Sequence, residues 1–273
     1  MSTASFGRLV RFEDSNGEIQ YGEVPEQLSS SDDLTNVDVR VYNGGLPWGS
    51  SSKLGTSTAK IARVLSPIST APIVYGIDLN YRKHAEEAKI ELPPFPLIFL
   101  KGAGLEALAG LYEDIPIHKE ADFMDHEREF TIVFSKRAIN LTESDNVFDY
   151  LLIRSGGQHG YAKAFDKFAP IGPILASTSQ IPHLSRLTLN TTVNGEQRQL
   201  TQTDDFIFDI PSIVRHLTRG RTINPGTLVI TGTPSGVAAF HKPPAWLKDG
   251  DVVEVEITEV GKIRNKMVFV KNP

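Results

Sequence analysis

A set of short alternating runs, broken by turn dipeptides, constrains this chain's fold more than any other feature. Leu9, Arg11 and Glu13 share one parity and Val10, Phe12 and Asp14 the other. Ser15-Asn16-Gly17 interrupts the run, and Ile19, Tyr21 and Glu23 resume it. Successive side chains of an extended strand face opposite sides, and Asn-Gly tolerates positive φ, so the segment is predicted to be a hairpin. Leu187 to Val193, Asn194-Gly195 and Glu196 to Leu200 repeat the signature. Asp249-Gly250 turns into Val252 to Ile257, where Val253, Val255 and Ile257 alternate with Glu254 and Glu256, and Met267 to Val270 is a last strand.

Apolar runs at Pro72 to Ile77, Leu97 to Leu100, Phe130 to Phe134 and Leu228 to Thr231 add further short strands. Asn80 to Lys89 has helical composition, and the Pro93-Pro94-Phe95-Pro96 cluster is expected to end it. Ile213, Val214 and Leu217 share one face of a helix predicted over Ile210 to Leu217. Pro25 to about Ser57, rich in Ser, Asp, Asn and Gly, reads as loop, with a strand at Ala59 to Leu65. The sum is mainly β with some α. The lack of regular βαβ alternation argues against a doubly wound parallel sheet. We expect a small β-rich N-terminal unit over residues 1–68 and a larger domain over 69–273.

The 273-residue chain contains no cysteine, which excludes a disulfide framework, a thiolate zinc site and a cysteine nucleophile. Its net charge of −5 and lack of a dense Lys/Arg cluster argue against a nucleic-acid partner. No stretch approaches the roughly 18 consecutive apolar residues of a membrane helix, and Met1 to Phe12 lacks the apolar core of a signal peptide. The expectation is a cytoplasmic enzyme-like protein with no membrane partner.

Several constellations could carry chemistry. In extended chain, Glu127 and Glu129 of Asp125-His126-Glu127-Arg128-Glu129 point to one face, where a hard cation such as Mg²⁺ could join them. Charged alternation is also common on half-exposed sheets, so spacing alone favours a solvated stripe. On a helix, His84 and Glu87 share a face, and a carboxylate on one imidazole nitrogen would orient the ring as a base; a chance surface pair has the same spacing. Thr231-Gly232-Thr233-Pro234-Ser235-Gly236 lacks the Lys of a P-loop but could cradle a carboxylate, or be an ordinary tight turn. Lys163 could bind an anionic oxygen or lie on the surface like most lysines. No Gly-x-Ser-x-Gly elbow supports a serine hydrolase.

The order of these blocks is more specific than any one of them. Asn80-Tyr81-Arg82-Lys83-His84-Ala85-Glu86-Glu87, Pro96 to Lys101 and Asp125 to Phe130 come first. Lys163-Ala164-Phe165-Asp166, Ala169 to Pro173 and Val193-Asn194-Gly195-Glu196 follow, then Thr231 to Val237 and Leu247 to Asp251. In this the sequence resembles the fumarylacetoacetate hydrolase superfamily from about residue 73 onward. The resemblance implies a mixed β-sandwich or β-roll catalytic domain, usually homodimeric, acting on small keto or diketo acids. It implies metal-assisted C–C hydrolysis of acylpyruvate-like substrates, with decarboxylation or isomerisation in some members. It implies a Mg²⁺ ion, or Mn²⁺ or Ca²⁺, held by Glu127, Glu129 and a later Asp. The implied base dyad is His84 and Glu87, with Lys163 and Thr233 on the substrate and Arg82 and Gln158 as further substrate-pocket residues.

The chain departs from the family at one point. The family carries a Gly-Tyr-Thr strand followed by Asn-Asp-x-Ser-x-Arg, whose Asp is the third metal ligand. Here Asp149-Tyr150-Leu151-Leu152 runs into Ile153-Arg154-Ser155-Gly156-Gly157-Gln158, so that more than an ordinary connecting loop of about 4–6 residues is missing. A two-carboxylate site should hold Mg²⁺ weakly. A catalytically impaired relative that keeps the fold for binding is the competing reading.

Overall fold

The alternation at the N-terminus forms the expected hairpin in the computed structural model. The structure describes residues 6–29, 32–49, 51–102, 104, 106–121, 123–155, 165–181 and 183–270, the side chains of residues 149–155 excepted. Strands β1 (Arg8–Asp14), β2 (Ile19–Glu23), β3 (Asp38–Asn43) and β4 (Lys53–Leu65) close into a ring, with β1 paired to β2 and β4, and β3 to β2 and β4. In the first hairpin only Gly17 takes positive φ, 83°, and the Asp14 carboxylate accepts the N–H of Asn16 at 2.8 Å and of Glu18 at 3.0 Å.

β3 and the first half of β4 lie where the sequence reads as loop. In β3 only Val39 and Val41 mark the alternation before Tyr42. The start of β4 is small, polar and largely exposed, so it carries no apolar pattern.

The chain continues through β5 (Val74–Asp78), α1 (Arg82–Ala88), β6 (Leu97–Lys101), β7 (Leu108–Ala109), β8 (Ile115–Ile117), β9 (Phe130–Phe134) and β10 (Leu151–Ser155). β11 (Ala169–Pro170), β12 (Leu175–Ser177), β13 (Thr188–Val193), β14 (Glu196–Gln202) and α2 (Ile210–Thr218) follow. β15 (Leu228–Ile230), β16 (Val252–Ile257) and β17 (Gly261–Phe269) complete it. One sheet runs β2-β3-β4-β1-β12-β10-β9-β15-β5-β6 and a second β14-β13-β16-β17-β8, with β7 and β11 paired separately. The fold is mainly β with some α, of the mixed sandwich or roll type.

The second hairpin, β13–β14, has Asn194 at φ 53° and Gly195 at 82°, the pair of positive values that a two-residue primed turn demands. β17 begins at Gly261, well before the predicted start at Met267, which the polar but inward-facing Asn265 had hidden; the Asn265 Nδ2 donates to the carbonyls of Gly110 and Glu113 at 3.0 and 2.8 Å. Helix α1 ends ahead of the proline cluster, at Lys89 with φ 55°, whose N–H bonds back to the Ala85 and Glu86 carbonyls. Helix α2 is capped by Asp209, which accepts the Ser212 N–H at 2.8 Å, and buries Ile210, Ile213, Val214 and Leu217. Each such side chain contributes about 1.5–3 kcal/mol. No helix among the described residues is long and apolar enough to cross a membrane.

One junction places the site. β15 pairs parallel to β5, Ile230 beside Gly76, and antiparallel to β9, Ile230 beside Thr131. The C-terminal ends of β5 and β15 therefore meet the N-terminal end of β9. From these ends come the Asn80 turn into α1, the Thr231–Gly236 turn, and the Asp125–Glu129 segment.

Candidate functional site

Asn80 fastens the first of these segments. It is fully buried, its Nδ2 donates to the Thr231 carbonyl at 2.9 Å, and its Oδ1 accepts the Phe208 N–H at 2.8 Å. Tyr81 has no capping side chain; instead the Asp205 carboxylate accepts the Lys83 N–H at 3.3 Å. Helix α1 then presents His84 and Glu87 three residues apart, with His84 Nδ1 3.1 Å from Glu87 Oε2. Both are partly exposed, at 16% and 24% of their side-chain surface, so the dyad is open to a ligand. The His84 ring also meets the edge of Phe240 at 5.9 Å.

Glu87 is held from outside its helix. The Gly236 N–H donates to its two carboxylate oxygens at 3.0 and 3.2 Å. Gly236 has φ 93°, and a Cβ there would lie 2.3 Å from the Arg198 carbonyl oxygen, so the turn approaches β14 as only glycine allows. The Gly236 carbonyl in turn accepts from His126 Nε2 at 3.1 Å. That bond puts the proton on Nε2, and burial pushes the His126 pKa down. Asp125 caps the 238–240 turn, accepting the Ala238 and Ala239 N–H groups at 2.7 and 3.1 Å.

Residues 124–129 are not strand, and the carboxylates are not a solvated stripe. Glu129 is wholly buried and accepts the Gly232 N–H, while Glu127 is half-buried. Arg128, between them, is 1% exposed. Its Nη1 donates to the Gln199 carbonyl at 2.8 Å and to Thr191 Oγ1 at 3.1 Å, and burial pushes its pKa down. Tyr81, also fully buried, packs edge-on against Phe206 at 4.9 Å. Burial pushes the Tyr81 phenol up, the Arg128 charge opposing and Glu129 reinforcing.

The structure thus brings together His84, Glu87, Glu129 and the Thr233 turn, each bonded to it or through it. Thr233 is 3% exposed, and its Oγ1 accepts from Gln199 Nε2 at 3.1 Å. Arg82 starts α1 with an exposed side chain. Lys163 and Gln158 lie outside the described residues. Among the described residues no group of three or more His, Asp or Glu side chains gathers as metal ligands would. Glu127 and Glu129 therefore do not by themselves make a complete Mg²⁺ set.

Asn80, Asp125 and Gly236 stand in the quoted sequence blocks without individual roles, and Gln199 was not singled out from the sequence at all. For Gln199 the pattern misleads: in β14 Gln199 is 1% exposed whereas neighbouring Leu200 is 55% exposed.

Known proteins resemble the chain in sequence and in fold. The family described as Fumarylacetoacetate (FAA) hydrolase C-terminal matches residues 73–268. A fumarylacetoacetate hydrolase domain-containing protein 2 homolog of Dictyostelium discoideum is 36% identical over 228 residues, 75% of this chain and 74% of that protein. A mitochondrial oxaloacetate tautomerase of Bos taurus is 33% identical over 218 residues, 75% and 69% of the two chains. The crystal structure of a 2-hydroxyhepta-2,4-diene-1,7-dioate isomerase from Mycobacterium marinum superposes with a TM-score of 0.79 at 26% identity, covering 97% of this chain and 100% of that one. By its sequence match and its fold, the chain belongs to the fumarylacetoacetate hydrolase family.

Proposed function

We propose that this protein is a proton-transfer enzyme that interconverts the keto and enol forms of a small dicarboxylic keto acid such as oxaloacetate. One observation carries the reading: His84 Nδ1 lies 3.1 Å from a Glu87 carboxylate that the Gly236 amide holds in place. A carboxylate only accepts, so the shared proton sits on Nδ1 and the Nε2 lone pair is the base. His84 Nε2 takes a proton from the carbon beside the carbonyl. The C–H electron pair becomes the C=C bond, the carbonyl π pair moves to oxygen, and protonation there gives the enol. Thr233, and the lysine expected at Lys163, hold the anionic oxygens. The tautomerase and isomerase names of the bovine relative and the mycobacterial structure support this class of reaction.

Metal-assisted C–C hydrolysis of an acylpyruvate-like substrate is the second reading, favoured by the Glu127 and Glu129 pair at the mouth of β9. It needs a tightly held divalent cation, and between β9 and Lys163 the sequence offers only Glu143, Asp145 and Asp149, none of them in the family's Asn-Asp-x-Ser-x-Arg setting. The test mixes the protein with enol-oxaloacetate and, separately, with acylpyruvates and Mg²⁺, beside His84→Gln and Glu127→Ala. Enol loss that needs His84 supports the tautomerase; acylpyruvate cleavage that needs Glu127 supports the hydrolase. Enol loss equal in wild type and His84→Gln overturns the first reading.

We also propose a homodimer. Ile90, Leu92, Phe95, Leu97 and Leu100 are all exposed along the edge strand β6 and the segment before it, a row that a second copy would cover.

A further inference from the structure

We propose that Gln199 is a positioning residue that fixes the polarity of the Thr233 hydroxyl, so that Thr233 donates its proton to an anionic oxygen of the ligand. The inference rests on the reading of Thr233 as a substrate-holding residue. Gln199 is 1% exposed and makes four hydrogen bonds through its side-chain amide. Its Nε2 donates to the Pro234 carbonyl at 2.9 Å and to Thr233 Oγ1 at 3.1 Å. Its Oε1 accepts from Thr191 Oγ1 at 3.3 Å and from the Arg128 N–H at 3.4 Å.

A carbonyl only accepts and an amide N–H only donates, so this amide has one allowed orientation. Turned over, its oxygen would face the Pro234 oxygen and its NH₂ the Arg128 N–H. The direction is set further back as well. The Arg128 guanidinium, which cannot accept, donates to Thr191 Oγ1 at 3.1 Å. The Thr191 proton is thereby directed to Gln199 Oε1. Donation then runs one way, from Arg128 through Thr191 and Gln199 to Thr233. With Nε2 donating into Thr233 Oγ1, the Thr233 proton points elsewhere, and among the described residues no acceptor takes it.

A chain of donors that begins at a buried cation is polarised toward its end and strengthens the last bond to an anion. The ligand class follows. The group at Thr233 is an acceptor, a carboxylate oxygen charged before and after the reaction, and a neutral analogue that offers a donor there is refused.

The test compares Gln199→Glu, Gln199→Met, Thr233→Val and the double variant Gln199→Glu/Thr233→Val. It measures KM and kcat for oxaloacetate, the dissociation constant for malonate, and Tm. A carboxylate at 199 accepts the Thr233 proton and reverses the bond. Gln199→Glu should raise KM and the malonate dissociation constant at least about tenfold, the scale of one hydrogen bond to a charged group. kcat should stay within about threefold, the pattern of lost uniform binding. The double variant should bind no worse than Thr233→Val. If Gln199→Glu does not fold, Gln199→Met, which lets the hydroxyl turn freely, must show the same split at smaller size. Unchanged malonate binding in a folded Gln199 variant, with weakened binding in Thr233→Val, overturns the inference alone. Unchanged binding in Thr233→Val overturns the role of Thr233. Normal malonate effects without turnover of oxaloacetate overturn only the proposed reaction.

Discussion

Replacing Gly236 with alanine strikes the dyad without touching either of its members. Gly236 has φ 93°, and the new Cβ would sit 2.3 Å from the Arg198 carbonyl oxygen and 3.3 Å from Gln199 Cγ. The carbonyl cannot swing away cheaply. Thr191 pairs with Gln199 and Thr192 with Gln197, so Arg198 is the extra residue of a bulge whose backbone is fixed on both sides. Left-handed backbone costs an alanine about 1–2 kcal/mol, and overpacking adds about 1–3 kcal/mol. The total of roughly 2–5 kcal/mol corresponds to a fall in Tm of roughly 4–20 °C for a domain of this size. Relieving the contact moves the Gly236 amide by about 1 Å, beyond hydrogen-bond reach of Glu87, and a misplacement of that size costs on the order of 10²-fold in kcat. The assay is thermal unfolding by circular dichroism together with enol-oxaloacetate turnover. Gly250→Ala is the control: its φ is 87° with nothing within 4 Å of the new Cβ, so it should show the conformational cost alone. Equal Tm and equal turnover in the two variants would refute the reasoning.

Three further outcomes are expected. Calorimetric titration with Mg²⁺ or Mn²⁺ should give weak binding that Glu127→Ala abolishes; stoichiometric sub-micromolar binding by the wild type contradicts a two-carboxylate site. Stability should fall as pH rises above 10. Burial, and the 2.5 Å bond that Tyr42 donates to Glu23, raise the Tyr42 pKa, so the unfolded phenol ionises first and stability is lost at up to about 1.4 kcal/mol per pH unit for each such tyrosine. Tyr42→Phe should make that alkaline loss shallower in urea titrations. Phe95→Glu with Leu100→Glu should convert a dimer to a monomer in light scattering, and an unchanged mass removes β6 as the interface.

The sequence showed the strands that announce themselves locally. Both Asn-Gly hairpins, β9, β15, β16 and the amphipathic α2 follow from alternation or helical spacing over fewer than ten residues. β3 and the start of β4 were hidden, although they are neighbours in the chain, because only Val39 and Val41 mark alternation in β3 and the start of β4 is polar and largely exposed. The site was legible in part. His84 and Glu87 meet because α1 sets them three apart, which spacing alone anticipates. Glu129 was not legible as a buried group: its bonding partner, the Gly232 N–H, comes from a turn 103 residues later. Gln199 was concealed by the same logic, since a polar side chain turns inward only where four partners from three segments await it. Family resemblance singled out Glu129, as a metal ligand rather than a buried acceptor, and gave no role to Gln199.

The central claim is that His84, oriented by Glu87, moves the proton beside the carbonyl. Its most direct test is the ketonisation of enol-oxaloacetate in D₂O, with the configuration of deuterium at the new C–H centre read by NMR. A positioned base delivers deuterium to one face. The wild type should give a single stereochemical product, and His84→Gln and Glu87→Gln should lose that stereospecific rate by on the order of 10²–10⁴-fold. Stereospecific labelling at the wild-type rate in His84→Gln contradicts it.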